Sequence, residues 1–409
     1  MRVLVVHNRY SSRMPSGENL AVEDEVRWLG AAGVDVRVHL ESNDDLVDPS
    51  PVRWLADGLE APWSWSAARR LRRAIGEHRP DLVHVHNLFP LMTASAPHAA
   101  LSAGIPVVWT VHNRRVVCVA GGNFRDGSPC HECRVGWRTP GIVHGCYAGS
   151  RVASGLVTGA TSVYRHVARR RVDAVTISEH MRRWLVTTAG FDAGRARVKH
   201  NAVDGPGDLE DIRPAHEGSD FVFLGRLAAY KGVALLLEAW RLTDDPDIRL
   251  RIVGDGPLAD TVRAAAAQDR RITWLGQLPA DAATAQIARA RAVIVPSVWE
   301  EPFGRVAAEA LAYGRPVITS GQGALEEIVD DSSGWSTGTD PAALADAVRT
   351  AAASSQLVAD KGAAARRRYE DAFSPEATTR RLVEIYGDVL TSSGAGSTVR
   401  TDARSRPDR

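Results

Sequence analysis

Short runs of β-branched and aliphatic residues alternate with amphipathic stretches along most of the chain, and this alternation starts twice. In the first half it predicts strands over 2–7, 34–40, 81–86, 105–112 and 172–178, with helices over 19–31, 66–77, 92–103 and 152–170. In the second half it predicts strands over 220–225, 248–254, 272–276, 292–296 and 316–320, with helices over 232–242, 257–267, 281–290, 305–313 and 340–353. Strands that alternate with helices form parallel sheets covered on both faces. The sequence therefore predicts an α/β protein with two Rossmann-like units.

The domain boundaries follow from composition. Residues 1–200 form the first domain, residues 201–219 a Gly-, Pro- and Asp-rich linker, and residues 220–374 the second domain. Ser374 and Pro375 are an N-cap and a first helical residue, so a final helix is expected over 375–390. Residues 391–409 are almost without apolar side chains and are predicted to be disordered.

Composition excludes several function classes. No apolar run approaches the roughly 18 residues of a spanning helix and the first residues lack a signal-peptide core, so a soluble, cytoplasmic chain is expected. The net charge of +1 is no signature of a nucleic-acid binder. Residues 1–200 carry 26 basic and 18 acidic side chains, whereas the rest carries 24 and 31. This asymmetry suggests domains with different ligands.

The first strand of the second domain ends in a glycine-rich motif with two cations, Arg226 and Lys231, between Gly225 and Gly232. Only three residues of the chain are lysine, and all other basic residues are arginine, so a lysine in a motif is less easily explained as filler. Cations at the carboxyl end of a parallel strand can bind a diphosphate. The alternative is an ordinary solvated pair of basic residues.

A second motif follows strand 292–296 and contains two carboxylates. Pro302 biases Glu301 toward an extended backbone, so Glu301 belongs to the loop, whereas Glu309 lies on the following helix. The backbone N–H groups near Phe303 and Gly304 would face a phosphate at the helix N-terminus, with carboxylates to accept sugar hydroxyls. A dipole-complementing Glu and a solvated Glu are the alternative.

Together these motifs resemble the retaining nucleotide-sugar glycosyltransferases of family 4, which have the GT-B fold of two facing Rossmann-like domains. The resemblance extends to about residue 390. It implies that Glu301 binds the donor sugar, Glu309 the ribose, and Arg226 and Lys231 the diphosphate. It also places the glycine turn at Gly254, and the base near Gln277 and Leu278.

In the first domain, His112 ends the strand 105–112. The resemblance implies that it reaches the donor sugar and the phosphate, and that Gly17 lies near the diphosphate. The family usually has Asp after this histidine, where this chain has Asn113, and that leaves a second carboxylate role there open. Glu18 either meets the acceptor or caps its helix, and His86 is predicted as an acceptor contact with Asn113.

Four cysteines, Cys118, Cys130, Cys133 and Cys146, lie in an irregular insertion over 114–149. The Cys-x2-Cys spacing with two further thiols favours structural zinc. An iron–sulfur cluster, two disulfides or four unbridged thiols are the alternatives. A subset of family 4 enzymes has similar segments, and the insertion is hypothesised to form a wall of the acceptor site.

The sequence thus predicts retaining transfer of a hexosyl unit, UDP-linked by family frequency, to a hydroxyl acceptor on a glycan, lipid or small molecule. Catalysis should need no cofactor. Arginine clusters over 69–73 and 169–171 are solvated faces or a peripheral contact with the inner membrane surface. Two rival functions remain open: a hydrolysing sugar-nucleotide epimerase, and a non-catalytic, zinc-stabilised protein that binds glycans or partners.

Overall fold

The computed structural model describes residues 1–10, 17–46, 63–134, 139–206, 209–210 and 212–394. Within these residues the chain forms two parallel sheets, as predicted, and each has six strands where five were predicted. The first sheet has the strand order β2-β1-β3-β4-β7-β8, and the second has the order β11-β10-β9-β12-β13-β14. A two-stranded hairpin, β5 and β6, lies apart from both.

The elements of the first half begin at residue 2. Its strands are β1 (Arg2–Arg9), β2 (Asp35–Ser42), β3 (Leu82–Val85), β4 (Val107–Val111), β5 (Phe124–Arg125), β6 (Ser128–Pro129), β7 (Asp173–Thr176) and β8 (Ala196–Val198). Its helices are α1 (Gly17–Ala31), α2 (Trp65–His78), α3 (Ser95–Ser102), α4 (Thr139–Val143), α5 (Arg151–Ala168) and α6 (Glu179–Thr187).

The second half repeats the plan. Its strands are β9 (Asp220–Leu224), β10 (Arg249–Val253), β11 (Ile272–Trp274), β12 (Ala292–Val295), β13 (Val317–Thr319) and β14 (Gly334–Ser336). Its helices are α7 (Val233–Arg241), α8 (Ala259–Gln268), α9 (Ala280–Arg289), α10 (Arg305–Ala312), α11 (Leu325–Ile328), α12 (Pro341–Ala353), α13 (Ser355–Ala372) and α14 (Pro375–Ser392).

The central strands are buried on both faces, which explains their continuous apolar runs. Every residue of β3, β4, β7 and β12 is buried. The sequence patterns did not predict α6, α13, β8 or β14. Helix α13 follows α12 after the single residue Ser354, whose side chain caps α13 by accepting from the Leu357 N–H. With no loop between the two helices, no turn signal marks the boundary.

The last helix, α14, begins as predicted: Ser374 accepts a hydrogen bond from the Ala377 N–H, and Pro375 is the first helical residue. The helix extends to Ser392, two residues into the stretch predicted to be disordered, and residues 395–409 lie outside the described part. Its apolar side chains, including Leu382 and Ile385, pack in one buried cluster with strand β1. The chain therefore returns from the second domain to the first sheet. No helix in the described ranges is both long and apolar enough to cross a bilayer.

Candidate active site

The strand order of the second sheet changes direction between β9 and β12, because β9 is flanked by β10 on one side and β12 on the other. Connections leave the carboxyl ends of β9 and β12 toward opposite sides at such a position, which opens a crevice for ligands. The loop 225–232 follows β9 and the loop 296–304 follows β12. Both sequence motifs therefore lie where the topology places a binding site.

The two loops meet through an ion pair. Lys231 Nζ lies 2.5 Å from Glu301 Oε1, and Ser297 Oγ donates to the same oxygen over 2.7 Å. Burial opposes ionisation of Glu301, which is 4% exposed, but the charge of Lys231 and the two hydrogen bonds hold the pKa of this carboxyl below its usual range. Both bonds fall on Oε1, so Oε2 keeps its capacity to accept a sugar hydroxyl. The sequence motifs predicted Lys231 and Glu301 separately, and the structure makes them a pair.

The second cation of the motif, Arg226, is exposed and forms no ion pair with the described residues. The loops are held close together by glycines at two backbone crossings. A Cβ on Gly254 would lie 1.9 Å from the Gly225 carbonyl oxygen. A Cβ on Gly232, which has φ +72°, would lie 1.8 Å from the Pro296 carbonyl oxygen.

This geometry predicts a large difference between two glycine substitutions. Gly276→Ala places alanine at φ +68° with no atom within 4 Å of its Cβ, so it should lower the free energy of unfolding by about 1–2 kcal/mol. Gly232→Ala adds the clash with Pro296 to the same backbone strain and should cost at least about 4 kcal/mol. Urea unfolding of both variants measures the difference. Equal losses would show that the loop crossing tolerates a side chain.

The remaining residues predicted to bind the donor lie around this crevice and differ in their burial and hydrogen bonding. Gly304, at φ +93°, precedes the N-terminus of α10, and the Phe303 ring is buried beside His200 and Phe373. Phe303 can therefore contribute only its backbone. Glu309 accepts from Arg305 over 2.8 Å, and burial raises the pKa of its carboxyl although Arg305 opposes this.

Gln277 and Leu278 lie beyond the carboxyl end of β11, at the same edge of the sheet. Gln277 is exposed and Leu278 is half-buried. Gly17 is the first residue of α1 and is also exposed, with no atom within 4 Å of a Cβ built on it. These three positions have the accessibility that the predicted donor contacts require.

The first sheet contributes a cavity beyond the carboxyl ends of β3 and β4. His112, Asn113, Glu18 and His86 all line it, together with apolar and aromatic side chains that include Trp109 and Tyr164. The structure thus brings the predicted acceptor residues together. Glu18 accepts from Asn113 Nδ2 over 3.2 Å and from the Tyr10 hydroxyl over 3.3 Å.

Burial raises the pKa of Glu18 to about 7, although hydrogen bonds from Asn113 and Tyr10 and the charge of Arg115 favour the ionised form. A carboxyl group with this pKa exchanges its proton near neutral pH. It can therefore either donate to or accept from a ligand in the cavity. Glu18 lies in the first turn of α1, but its hydrogen bonds to Asn113 and Tyr10 point it toward the cavity.

A contact between the domains joins the two halves of the site. Arg114 is fully buried and donates from Nη1 to the Glu300 carbonyl oxygen over 2.8 Å, and its Nη2 lies 3.6 Å from Glu300 Oε2. Because Arg114 is two residues beyond His112 and Glu300 directly precedes Glu301, this contact connects the segment that carries the predicted catalytic histidine to the loop that carries the predicted donor carboxylate. The sequence analysis missed Arg114. Its position next to the His112-Asn113 pair was the one signal available.

The cysteine-rich insertion lies against the donor loop of the second domain. Arg134 Nη2 is 3.3 Å from Glu300 Oε2, and the Phe124 ring packs against Tyr230 at 5.9 Å. A Cβ on Gly122 would lie 3.4 Å from the Trp299 ring. Arg115, at the start of the insertion, also lines the first-domain cavity. The insertion therefore connects the cavity with the donor loop.

The four cysteines line one cavity and none is disulfide-bonded in the described chain. Tetrahedral zinc with Zn–S bonds of about 2.3 Å holds its sulfurs about 3.8 Å apart. Among the described residues, the group of three or more ligand atoms within 4.8 Å of one another is Glu25, His84 and His86, so the sulfurs are spread more widely. Four thiols are a suitable ligand set for zinc, but these sulfurs would have to move closer together to bind one ion. Burial raises the pKa of Cys133 and Cys146, which favours neutral thiols while no metal is bound.

The zinc hypothesis has a direct test. We expect purified protein to contain about one zinc per chain, with its thiols protected from titration until a chelator is added. Cys133→Ser should lose the metal. Metal analysis that finds neither zinc nor iron, with four titratable thiols, would contradict the hypothesis.

Two family models match the chain. The model described as Glycosyltransferase Family 4 matches residues 16–205, and the model described as Glycosyl transferases group 1 matches residues 218–354. The first region contains every strand of the first sheet except β1, and the second contains every strand of the second sheet.

Curated relatives and solved structures agree with these matches. Glycogen synthase of Mycobacterium tuberculosis H37Rv is 28% identical over 94% of this chain and 94% of its own length. The 2-deoxystreptamine glucosyltransferase of Streptomyces kanamyceticus is 28% identical over 66% of this chain and 67% of its own. Anabaena HepE in complex with UDP has a TM-score of 0.65 at 19% identity and covers 95% of this chain and all of its own. Sucrose-phosphate synthase of Thermosynechococcus elongatus has a TM-score of 0.67 at 19% identity, over 96% and 99%.

Proposed function

Because two glycosyltransferase family models together match most of the chain and its fold is GT-B, we propose that it transfers a hexosyl unit from a nucleotide sugar, linked to UDP, with retention of configuration, to a hydroxyl acceptor. The observation that carries this proposal is the Lys231–Glu301 pair, whose loop Arg114 connects to the first-domain segment that carries His112 and lines a cavity. UDP is proposed because the similar structure of Anabaena HepE contains it.

In this proposal the cations act on the leaving group. Lys231 and Arg226 stabilise the negative charge that grows on the diphosphate as the glycosidic bond breaks. The backbone N–H groups at the start of α10 add partial positive charge. Because these groups neutralise the diphosphate, turnover should persist in chelator, and complete loss in chelator would contradict this part of the proposal.

Retention is proposed through attack on the same face, assisted by the leaving phosphate, without a covalent intermediate on the enzyme. The contacts of Glu301 support this role. Its Oε1 is held by both Lys231 and Ser297, an arrangement that suits a binding carboxylate better than a free nucleophile. Glu301 would instead orient the donor sugar by accepting its hydroxyls through Oε2.

The acceptor would occupy the first-domain cavity. It is lined by polar groups, Glu18, His112 and Asn113, and by aromatic rings such as Trp109. This combination suits a hydroxyl on a molecule with an apolar face, which sugars and many small aglycones possess. Whether the acceptor is a glycan, a lipid-linked sugar or a small molecule is a question for product analysis.

Peripheral membrane contact is a second part of the proposal. Helix α2 exposes Trp65, 61% accessible, beside the exposed arginines at 69, 70, 72 and 73. An exposed tryptophan next to arginines suits an anionic membrane surface. Pelleting with anionic liposomes that is lost in high salt supports the contact, and no pelleting in low salt contradicts it.

The function is tested by a thermal-shift screen of UDP-, GDP- and ADP-sugars, followed by product analysis with acceptors. We expect UDP-sugars to stabilise the protein most, and NMR of the product to show the donor's anomeric configuration. Acceptor-independent release of UDP with an epimerised sugar would identify an epimerase instead. Nucleotide binding without turnover on any acceptor would favour the non-catalytic alternative.

A further inference from the structure

The ammonium group of Lys231 lies over two aromatic rings. Its Nζ is 5.7 Å from the centre of the Tyr230 ring and 5.7 Å from the centre of the Trp299 ring. The two ring centres are 5.1 Å apart, and the rings are inclined at 58° to each other. A cation within about 6 Å of a ring centre is attracted to the face of that ring. We refer to Tyr230 and Trp299 as the ring pair of Lys231.

The ring pair belongs to the two donor loops of the second domain. Tyr230 directly precedes Lys231, and Trp299 lies two residues before Glu301. The Val298 N–H donates to the Tyr230 carbonyl oxygen over 3.0 Å, which joins the two loops. Lys231 therefore has two kinds of partner, the carboxylate of Glu301 at 2.5 Å and the two rings.

The cysteine-rich insertion of the first domain contacts this ring pair. The Phe124 ring packs edge-on against Tyr230, with 5.9 Å between the ring centres and 69° between the ring planes. The Gly122 backbone lies close to Trp299, since a Cβ on Gly122 would lie 3.4 Å from that ring. Each ring beside Lys231 thus touches a residue of the other domain.

The hairpin of the insertion holds Phe124 in place. Phe124 lies in β5, which pairs with β6, and the Cys130 N–H donates to the Asn123 carbonyl oxygen over 2.7 Å. Phe124 is not among the described residues that line the first-domain cavity. Its contact across the domains is therefore with a donor loop and not with the predicted acceptor site.

Restraint matters for Lys231 because a lysine side chain is long and flexible. The Lys231 side chain is 26% exposed, and it loses rotamer entropy when its ammonium is fixed on a ligand. Rings that restrict the side chain before the ligand arrives reduce this loss on binding. A lysine restrained in this way binds an anionic ligand more tightly than a mobile one.

We propose that Phe124 is a positioning residue for the donor site of the other domain: it holds Tyr230, and through Tyr230 the Lys231 ammonium, where the leaving diphosphate binds. The diphosphate part of this inference rests on the proposed function. The insertion, which the sequence analysis treats as a wall of the acceptor site, then acts on the donor as well. Donor binding in the second domain depends on an aromatic side chain of the first.

The restraint is measured without any ligand. The chain has three lysines, Lys199, Lys231 and Lys361, so protein labelled with ¹³C-lysine gives three sets of ε-methylene signals, and Lys231→Met assigns one of them. Because aromatic rings shift the signals of nearby protons, we expect the Lys231 signal to move in Phe124→Ala toward the position of an unrestrained lysine. Lys361, whose Nζ lies 4.9 Å from the centre of the Trp335 ring, is the internal reference for ring effects, and its signal should not move.

Three further variants make this result specific. Phe124→Tyr keeps an aromatic ring and should keep the Lys231 signal at its parent position. Phe124→Leu keeps most of the apolar volume without a ring, should move the signal as Phe124→Ala does, and replaces that variant should Phe124→Ala not fold. Ser128→Ala is the matched control, because Ser128 lies on the paired strand β6 and is exposed. The same Lys231 signal in the parent and in Phe124→Ala overturns the proposal.

Isothermal titration with UDP tests the diphosphate part. Phe124→Ala should weaken UDP binding about 5-fold, because Lys231 must then be ordered when the ligand binds. In the Lys231→Met background the same substitution should have no further effect, since its influence passes through the lysine. Equal UDP affinity in parent and Phe124→Ala, or equal weakening in both backgrounds, overturns the proposal.

The two measurements separate this inference from the proposed function. A Lys231 signal that moves in Phe124→Ala, in a protein that does not bind UDP, refutes the UDP donor alone, and inorganic pyrophosphate then serves as the probe of the diphosphate part. An unmoved signal in a protein that binds UDP and transfers sugar overturns the role of Phe124 alone.

Discussion

Replacing Lys231 with methionine should lower kcat about 10³-fold, since it removes the cation proposed to stabilise the leaving diphosphate. It also leaves Glu301 buried without its ion-pair partner. Loss of one member of a buried pair costs 3–5 kcal/mol, and because Lys231 is 26% exposed we expect about 2 kcal/mol here. Single-turnover rates with the UDP-sugar and urea unfolding measure the two effects.

Lys231→Arg provides the control because it keeps the positive charge near Glu301. It should retain turnover within about 10-fold, and its loss of stability should be below 1 kcal/mol. If Lys231→Met turns over as fast as the parent, the diphosphate role assigned to this lysine is wrong.

Replacing Glu301 with glutamine should lower kcat by about 10²–10³-fold while UDP binds at least as tightly as before. The neutral amide cannot orient sugar hydroxyls as the carboxylate does. At the same time Lys231 is released from its ion pair and becomes more available to the diphosphate. Isothermal titration with UDP and steady-state kinetics with the UDP-sugar separate these two consequences.

Glu300→Gln is the matched control for this experiment. Glu300 is adjacent in sequence, but its side chain faces Arg114 and Arg134 of the other domain. Its backbone carbonyl, which accepts from Arg114, remains in the variant, so turnover should stay within about 10-fold of the parent. Normal turnover in Glu301→Gln, or equal losses in both variants, would remove the donor-sugar role of Glu301.

Much of the fold was predictable because parallel strands and their helices are local patterns. All five strands predicted in each half are present, and each observed end lies within two residues of its predicted position. What the pattern missed were short edge strands such as β8 and β14, which have three residues each. The equally short β11 and β13 were predicted because they consist mainly of β-branched residues, whereas β8 and β14 contain Ala, Arg, Gly and Ser, which favour strands less.

The site residues also differ in whether a local sequence pattern could predict them. Arg226, Lys231, Glu301 and His112 were predicted because each follows a strand, and the carboxyl ends of parallel strands share one edge of a sheet. A buried ion pair joins Glu25, in the middle of α1, to Lys199, which follows the last strand of the first sheet, so neither residue belongs to a local motif. Lys199 did carry a signal, since only three lysines occur in the chain and a second one lies in the diphosphate loop.

By itself, the sequence determined that there are two parallel sheets, which loops follow their strands, and which side chains those loops carry, because these properties depend on neighbours along the chain. Only the tertiary structure decided that Lys231 pairs with Glu301, that Arg114 joins the domains at Glu300, and that Tyr386 returns to His84 across 302 residues of chain. Such contacts form because buried charges and hydrogen-bond donors need partners when water is excluded. These partners are neighbours in space, and spacing along the sequence does not reveal them.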